Sequence, residues 1–217
     1  MSSNLYTKEN TQELAQLKNL APEQLKAFNE FNVAVFKEGA LSKKEKEIIA
    51  VAITHVTQCP YCIDAHTKAA KKAGATLEEL AEAVFVTAAV EAGGTVTHST
   101  HVHNAKNQEA SDALYLRSNL KNLGQLGKFA PDGFKGYLAF SRAATKAGKL
   151  SAKFKETIAV AIANAIQCPY CIDVHTKNAD KQGVTSEELG EAIMVASAVR
   201  AGGSYAHMAN MIQSYQD

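Results

Sequence analysis

The sequence predicts an all-α chain of two tandem homologous helical domains. Three observations carry that reading: a 109-residue internal repeat, apolar residues at helical spacing, and helix-start and helix-stop signals at matching places in both copies. Sliding the 217-residue chain against itself by 109 aligns Pro22 to His98 with Pro131 to His207 without a gap, and about 42 of 77 positions are identical. The period is too long for a solenoid unit and suits a small domain. The organisation read from it is an N-terminal extension (1–21), a first helical repeat (22–109), and a connector with the second repeat (110–217).

Within each copy the elements follow in order. Ser42-Lys43-Lys44-Glu45 reads as a capping box opening the run Lys46 to Gln58, while its counterpart Ser151 has Phe154 at the third position and keeps only half of the box. Cys-Pro then marks a helix start in each copy, because proline suits the first turn, where its missing N–H would be unpaired anyway. Thr76-Leu77-Glu78-Glu79 and Thr185-Ser186-Glu187-Glu188 open the runs Leu80 to Val90 and Leu189 to Val199. Gly39, Gly74, Gly148 and Gly183 stand where helices are expected to stop in a left-handed cap. The stretch Ile48 to Ile53 has the length of a strand, but its alanines and its cap favour helix.

Composition bounds the function. The chain has 23 Lys plus Arg against 22 Asp plus Glu, a net charge of +1, which leaves no surplus for a nucleic-acid groove or an anionic membrane. With 46% hydrophobic residues it can bury one sizeable core or two small ones. The N-terminus lacks the apolar core of a signal peptide, and no apolar run approaches the roughly 18 residues that span a bilayer. The expectation is a cytoplasmic protein whose partners are small molecules or proteins, with no membrane and no nucleic acid. Its 4 Cys are too few for a disulfide-stapled secreted scaffold.

Those cysteines carry the chemistry. Gln58-Cys59-Pro60-Tyr61-Cys62-Ile63-Asp64 is identical to Gln167-Cys168-Pro169-Tyr170-Cys171-Ile172-Asp173, and His66 and His175 follow each second Cys by four. At a helix start the unpaired amides and the dipole favour thiolate. Cys62 and His66 share one helical face, so the imidazole can take the thiol proton, and Cys59 lies one turn earlier within disulfide reach. Glu47 and Glu156 precede the first Cys of each pair by twelve and are candidates to orient the His or relay its proton. On this reading Cys62 and Cys171 attack peroxide and become sulfenic acids, which Cys59 and Cys168 resolve as disulfides. Thioredoxin logic gives the competing assignment, with the first Cys as nucleophile.

The pattern of Glu, eleven residues, Cys, two residues, Cys, three residues, His, followed by a helix and a Gly-Gly, resembles the AhpD-like branch of the carboxymuconolactone decarboxylase family. It occurs twice, as Glu47, Cys59, Cys62, His66 and as Glu156, Cys168, Cys171, His175. The resemblance implies two AhpD-like helical domains and thiol-dependent alkyl hydroperoxidase or disulfide-reductase activity in antioxidant defence. It also implies a homo-oligomer, with a trimer favoured. In that family the second Cys forms the sulfenate and the first is its proton donor and resolver. The family pattern can carry a His between the cysteines where this chain has Tyr61 and Tyr170, so one element of that relay is absent.

No metal or organic cofactor is required by this chemistry. The substrate is a small hydroperoxide, and a dithiol reductant protein must reopen each disulfide. The alternatives are a zinc-binding or interaction module that uses the cysteines as ligands, lactone chemistry like that of the founding decarboxylases, and cysteines that merely pack. Cys-Pro-Tyr-Cys also resembles the glutaredoxin site, but the strand and parallel sheet which that fold needs are not visible. Asp64 and Asp173 read as first-turn dipole partners, and Tyr61 and Tyr170 either donate to bound peroxide or pack. His98 has a counterpart in His207, each following a Gly-Gly by the same step, whereas His101 and His103 read as solvated connector. His55 aligns with Asn164 and Glu91 with Arg200, drift that argues against a shared role.

Overall fold

A computed structural model describes residues 6–100 and 115–216; His101 and His103 lie outside them. Among those residues the regular structure is entirely helical, with ten α-helices and two 3-10 segments. The first repeat contains α1 (Leu17–Leu20), α2 (Pro22–Val35), α3 (Lys43–Thr57), α4 (Pro60–Lys72) and α5 (Leu77–His98). The second contains α6 (Leu123–Phe129), α7 (Pro131–Thr145), α8 (Ala152–Ala165), α9 (Pro169–Lys181) and α10 (Ser186–Gln216). The 3-10 segments Lys8–Gln16 and Arg117–Asn122 lead into the two sets.

The caps set the boundaries. Ser42 and Glu45 close a reciprocal box at α3, Thr76 and Glu79 do so at α5, and Ser151 accepts only the Phe154 N–H at α8. Pro22, Pro60, Pro131 and Pro169 each occupy the first turn of a helix. Gly74 (φ +88°) and Gly183 (φ +72°) take the left-handed conformation after α4 and α9.

Gly39 and Gly148 do neither. A Cβ at Gly39 would collide with the Glu191 carboxylate, and one at Gly148 with that of Glu82, so these glycines make room for a close approach instead of ending a helix. The Gly-Gly pairs lie inside α5 and α10, which run through them. A Cβ at Gly93 would stand 2.7 Å from the Tyr137 hydroxyl, so here too glycine permits close packing.

The two repeats share one core. α3 and α8 lie at its centre, and α5 and α10 each pack against both of them. Ile48, Ile49, Ile53, Val86 and Val90 of the first repeat join Ile158, Ile162, Val195 and Val199 of the second in a single buried cluster. Each fully buried Ile or Val contributes roughly 1.5–3 kcal/mol, and a helix buried on all sides loses its polar face, which explains the strand-like apolar stretch in α3. α5 is long and apolar enough by composition to cross a bilayer, contrary to the expectation above, but it is packed against α3, α7 and α8.

Two pseudo-symmetric clamps hold each long helix to the other repeat. Glu82 on α5 accepts the N–H groups of Lys149 (2.8 Å) and Leu150 (2.9 Å) and pairs with the buried Lys155 ammonium (2.9 Å). Glu191 on α10 accepts from Ala40 (2.9 Å) and Leu41 (2.7 Å) and pairs with buried Lys46 (3.1 Å). At Glu82 burial works against ionisation, but the Leu150 and Lys149 amides and the Lys155 ammonium outweigh it and bring the carboxyl down to about 2.

Candidate active site

Each Cys pair sits at the corner between a central helix and the one that follows. Gln58 (φ 53°) ends α3 and Gln167 (φ 56°) follows α8, both in the left-handed region, a conformation that costs a non-glycine residue of order 1–3 kcal/mol. The chain turns there, so the next residue becomes the N-cap of α4 or α9 through its sulfur: Cys59 Sγ accepts the Cys62 N–H at 3.3 Å, and Cys168 Sγ accepts that of Cys171 at 3.2 Å. Cys59 and Cys62 are free and buried, whereas Cys168 and Cys171 form a disulfide across a Cα separation of 5.3 Å.

The free pair is polarised. The Cys62 thiol donates a hydrogen bond to Cys59, burial resists ionisation, and the Cys62 amide, His207 and the Tyr61 amide add to the pull, holding the Cys59 thiol at about 6. Cys62 is pushed up, first by that same hydrogen bond and then by burial and the neighbouring charge. The shared hydrogen bond and the helix-start amides thus favour ionisation of Cys59 over Cys62, the opposite of the order that the His66 spacing suggests. Cys59 has no exposed surface and Cys62 is 7% exposed, so a reagent that reaches the pair must be small or must open the site.

Glu47 and Glu156 are buried, not solvated helix charges. Glu47 Oε2 accepts from His66 Nδ1 at 2.9 Å, and Glu156 Oε2 accepts from His175 Nδ1 at 2.8 Å. With Nδ1 facing the carboxylate, each ring carries its proton there and turns Nε2 away. Burial pushes the Glu47 carboxyl up, but hydrogen bonds from His66 and Lys43 bring it below the usual range. Among the described residues neither His66 nor His175 is hydrogen-bonded to a sulfur; His66 stacks on Phe36 with ring centres 5.5 Å apart. No group of three His, Cys, Asp or Glu among the described residues is placed to hold a metal ion.

Asp64 and Asp173 are half-buried, Asp64 paired with Lys68 (2.6 Å) and Lys8 (3.0 Å), Asp173 with Lys177 (2.7 Å) and Arg117 (2.5 Å). Tyr61 and Tyr170 are buried. Asn210 donates to the Tyr61 hydroxyl at 3.3 Å and Asn119 to that of Tyr170 at 2.8 Å.

Residues outside the aligned pattern complete the two sites. The His207 ring meets Tyr61 edge-on at 6.0 Å, and the His98 ring meets Tyr170 at 5.8 Å, so each histidine packs on the tyrosine between the cysteines of the opposite repeat. Thr97 Oγ1 lies 3.8 Å from Cys168 Sγ, while its counterpart Ala206 packs on Cys59 and Cys62. Tyr6 covers Tyr61 (6.2 Å) and His207 (6.1 Å), and Tyr115 covers Tyr170 and His98 (both 6.1 Å). Tyr6 and Tyr115, Lys8 and Arg117, and Asn10 and Asn119 are each 109 residues apart, a signal in the sequence that extends the repeated unit into the lead-in segments.

Comparison with known proteins agrees with the duplicated architecture. A model of the carboxymuconolactone decarboxylase family matches residues 22–105 and again 131–213. A Paracoccus denitrificans protein described as uncharacterized protein 4 in cox locus is 48% identical over 73 residues, which are 34% of this chain and 66% of that protein. An uncharacterized protein of Cupriavidus necator is 33% identical over 97 residues, 45% of this chain and 85% of its own length. A crystal structure from Burkholderia xenovorans LB400, described as a candidate gamma-carboxymuconolactone decarboxylase subunit, superposes with a TM-score of 0.68. At 23% identity, over 94% of this chain and 90% of that one, it shares the fold.

Proposed function

From its membership of the carboxymuconolactone decarboxylase family, to which this chain belongs, we propose that it is a thiol-based oxidoreductase that reduces small hydroperoxides at two Cys pairs. The observation that carries this reading is the polarised dithiol at the start of α4, a Cys59 thiolate held by the Cys62 thiol and helix amides. The equivalent pair in the disulfide state supports it. The buried Glu47–His66 and Glu156–His175 pairs beside them supply groups able to move a proton.

In the reaction the Cys59 thiolate attacks the outer oxygen of the hydroperoxide and the O–O bond breaks. The sulfur becomes a sulfenic acid, and the leaving alkoxide takes the Cys62 proton and departs as alcohol. The Cys62 thiolate then attacks the Cys59 sulfur, a disulfide forms, and hydroxide leaves and becomes water with a proton that the Glu47–His66 pair relays from solvent. Cys168 and Cys171 follow the same course. Two thiols are oxidised for each peroxide reduced, so an external dithiol protein must return the pair to the reduced state. The same proposal makes the protein a cytoplasmic homo-oligomer, a trimer by the resemblance.

Consumption of an organic hydroperoxide with dithiothreitol by the wild type and by Cys59→Ser/Cys168→Ser tests this. Turnover is expected in the wild type alone. Equal activity would point to chemistry that needs no thiol, such as lactone decarboxylation, and equal inertness would remove the peroxidase reading. Trapping with a sulfenate reagent assigns the nucleophile: an adduct on Cys59 in Cys62→Ser is expected, and an adduct only on Cys62 in Cys59→Ser returns that role to the second Cys.

A further inference from the structure

The residues that surround each Cys pair do not all come from its own repeat. Seen from Cys59, the opposite wall of the site is α10. Ala206 packs on Cys59, Tyr61 and Cys62, Asn210 one turn on bonds the Tyr61 hydroxyl, and between them the His207 ring stands edge-on to Tyr61 at 6.0 Å. His207 Nε2 is buried and has no hydrogen-bond partner among the described residues. It borders a cavity of about 300 Å³ formed with Val56, Thr57, Arg200, Gly203 and Ser204, next to the turn that carries Cys59. A buried ring nitrogen beside a thiolate loses solvation unless the charge on the sulfur compensates it.

The second site repeats the arrangement with the roles of the halves exchanged. α5 of the first repeat lies across the Cys168 pair, with Thr97 on the sulfur at 3.8 Å and the His98 ring 5.8 Å from Tyr170.

We propose that each Cys pair takes the histidine that sets its charge from the opposite repeat, His207 serving Cys59 and His98 serving Cys168. The assignment rests on the thiol redox reading above and adds residues absent from its Glu, Cys, Cys, His pattern. His207 is among the groups that draw the Cys59 thiol down to about 6. The other titratable or charged groups facing this site are Tyr6 from the lead-in, Tyr61 and Cys62 on α4, and Arg200 on α10. His66 and Asp64 are held by Glu47 and by Lys8 and Lys68. His207 thus acts as a positioning residue for the proton of the pair.

The test uses full-length, pre-reduced protein and reads the rate of iodoacetamide alkylation against pH, with each cysteine followed separately by peptide mass spectrometry. His207→Gln is expected to raise the ionisation midpoint of Cys59 by roughly half a unit to one unit and to leave that of Cys168 in place. His98→Gln is expected to do the reverse, and His207→Lys, which supplies a positive charge, to restore the Cys59 midpoint. Equal movement of both pairs in either Gln variant, movement of the pair in the same repeat, or no movement would overturn the assignment. Alkylation does not depend on turnover, so a wild type that consumes no hydroperoxide removes the peroxidase reading while these midpoints still decide the role of the histidines.

Discussion

Glu82→Ala isolates what the cross-repeat clamp contributes to stability. The substitution removes the acceptor for two backbone N–H groups, Lys149 at 2.8 Å and Leu150 at 2.9 Å, and strands the Lys155 ammonium, 4% exposed, on the single carbonyl of Lys146 at 2.8 Å. Each lost charge-assisted bond costs about 1 kcal/mol, because at 26% exposure of Glu82 water replaces part of it, and the unpaired buried cation adds about 1–3 kcal/mol. Alanine returns about 0.4 kcal/mol of helix propensity. The expected loss is about 3–4 kcal/mol, a displacement of the urea midpoint by roughly 1–2 M at an unchanged slope. Adding Lys155→Met is expected to recover a large part of it, since no charge is then left unpaired. Because the folded carboxyl titrates at about 2, well below its unfolded value, the clamp is fully present above about pH 4.5. The difference between wild type and variant shrinks as pH falls toward 2. A loss under about 1 kcal/mol at pH 7, or no recovery in the double variant, refutes the reasoning.

Three further outcomes are expected. The initial rate of hydroperoxide reduction by the first site, measured in Cys168→Ser/Cys171→Ser, rises through an apparent pKa near 6, since protonated Cys59 is inert; a midpoint near the ordinary thiol value of about 8.5 contradicts the polarised pair. In the same background Glu47→Gln lowers turnover about tenfold or more while the fold is kept, because His66 loses its carboxylate partner, and an unchanged rate removes Glu47 from the proton path. Gly183→Ala costs about 1 kcal/mol at φ +72°, whereas Gly190→Ala, in open space within α10, gains about 0.5–1 kcal/mol; thermal melts of the two variants should move in opposite directions.

Much of this architecture is local and therefore legible in the sequence. Capping boxes, first-turn prolines and apolar spacing are properties of a few consecutive residues, and they give the helices and the placement of both Cys pairs at helix starts. The Glu47–His66 contact is also foreseeable, because a fixed offset on two adjacent helices brings the same side chains together in each copy. Which repeat a helix packs against is different. Periodicity records that α5 buries an apolar face, but α3 and α8 offer closely similar apolar faces, so the sharing of one core leaves no trace in either copy alone. His207, His98 and the glycines opposite Glu82 and Glu191 depend on that crossing, which is why they read as incidental. The acidity order was hidden for a related reason: spacing relates Cys62 to His66, but the hydrogen bond that fixes the charge runs between the two sulfurs.

The shared core also changes what holds the two halves together. Separate copies of a single repeat, each needing the other's long helix to cover its Cys pair, would assemble only above their dissociation constant, and dilution would open the sites. In one chain the partner is covalently attached, so the halves meet whatever the concentration of the protein. Once association no longer depends on two identical surfaces, the halves are free to diverge. Thr97 beside one sulfur pair and Ala206 beside the other, with Glu91 and Arg200 at equivalent places on α5 and α10, are differences that a symmetric dimer of one gene product could not hold. The covalent tether therefore turns two copies of one site into two sites that can be tuned apart.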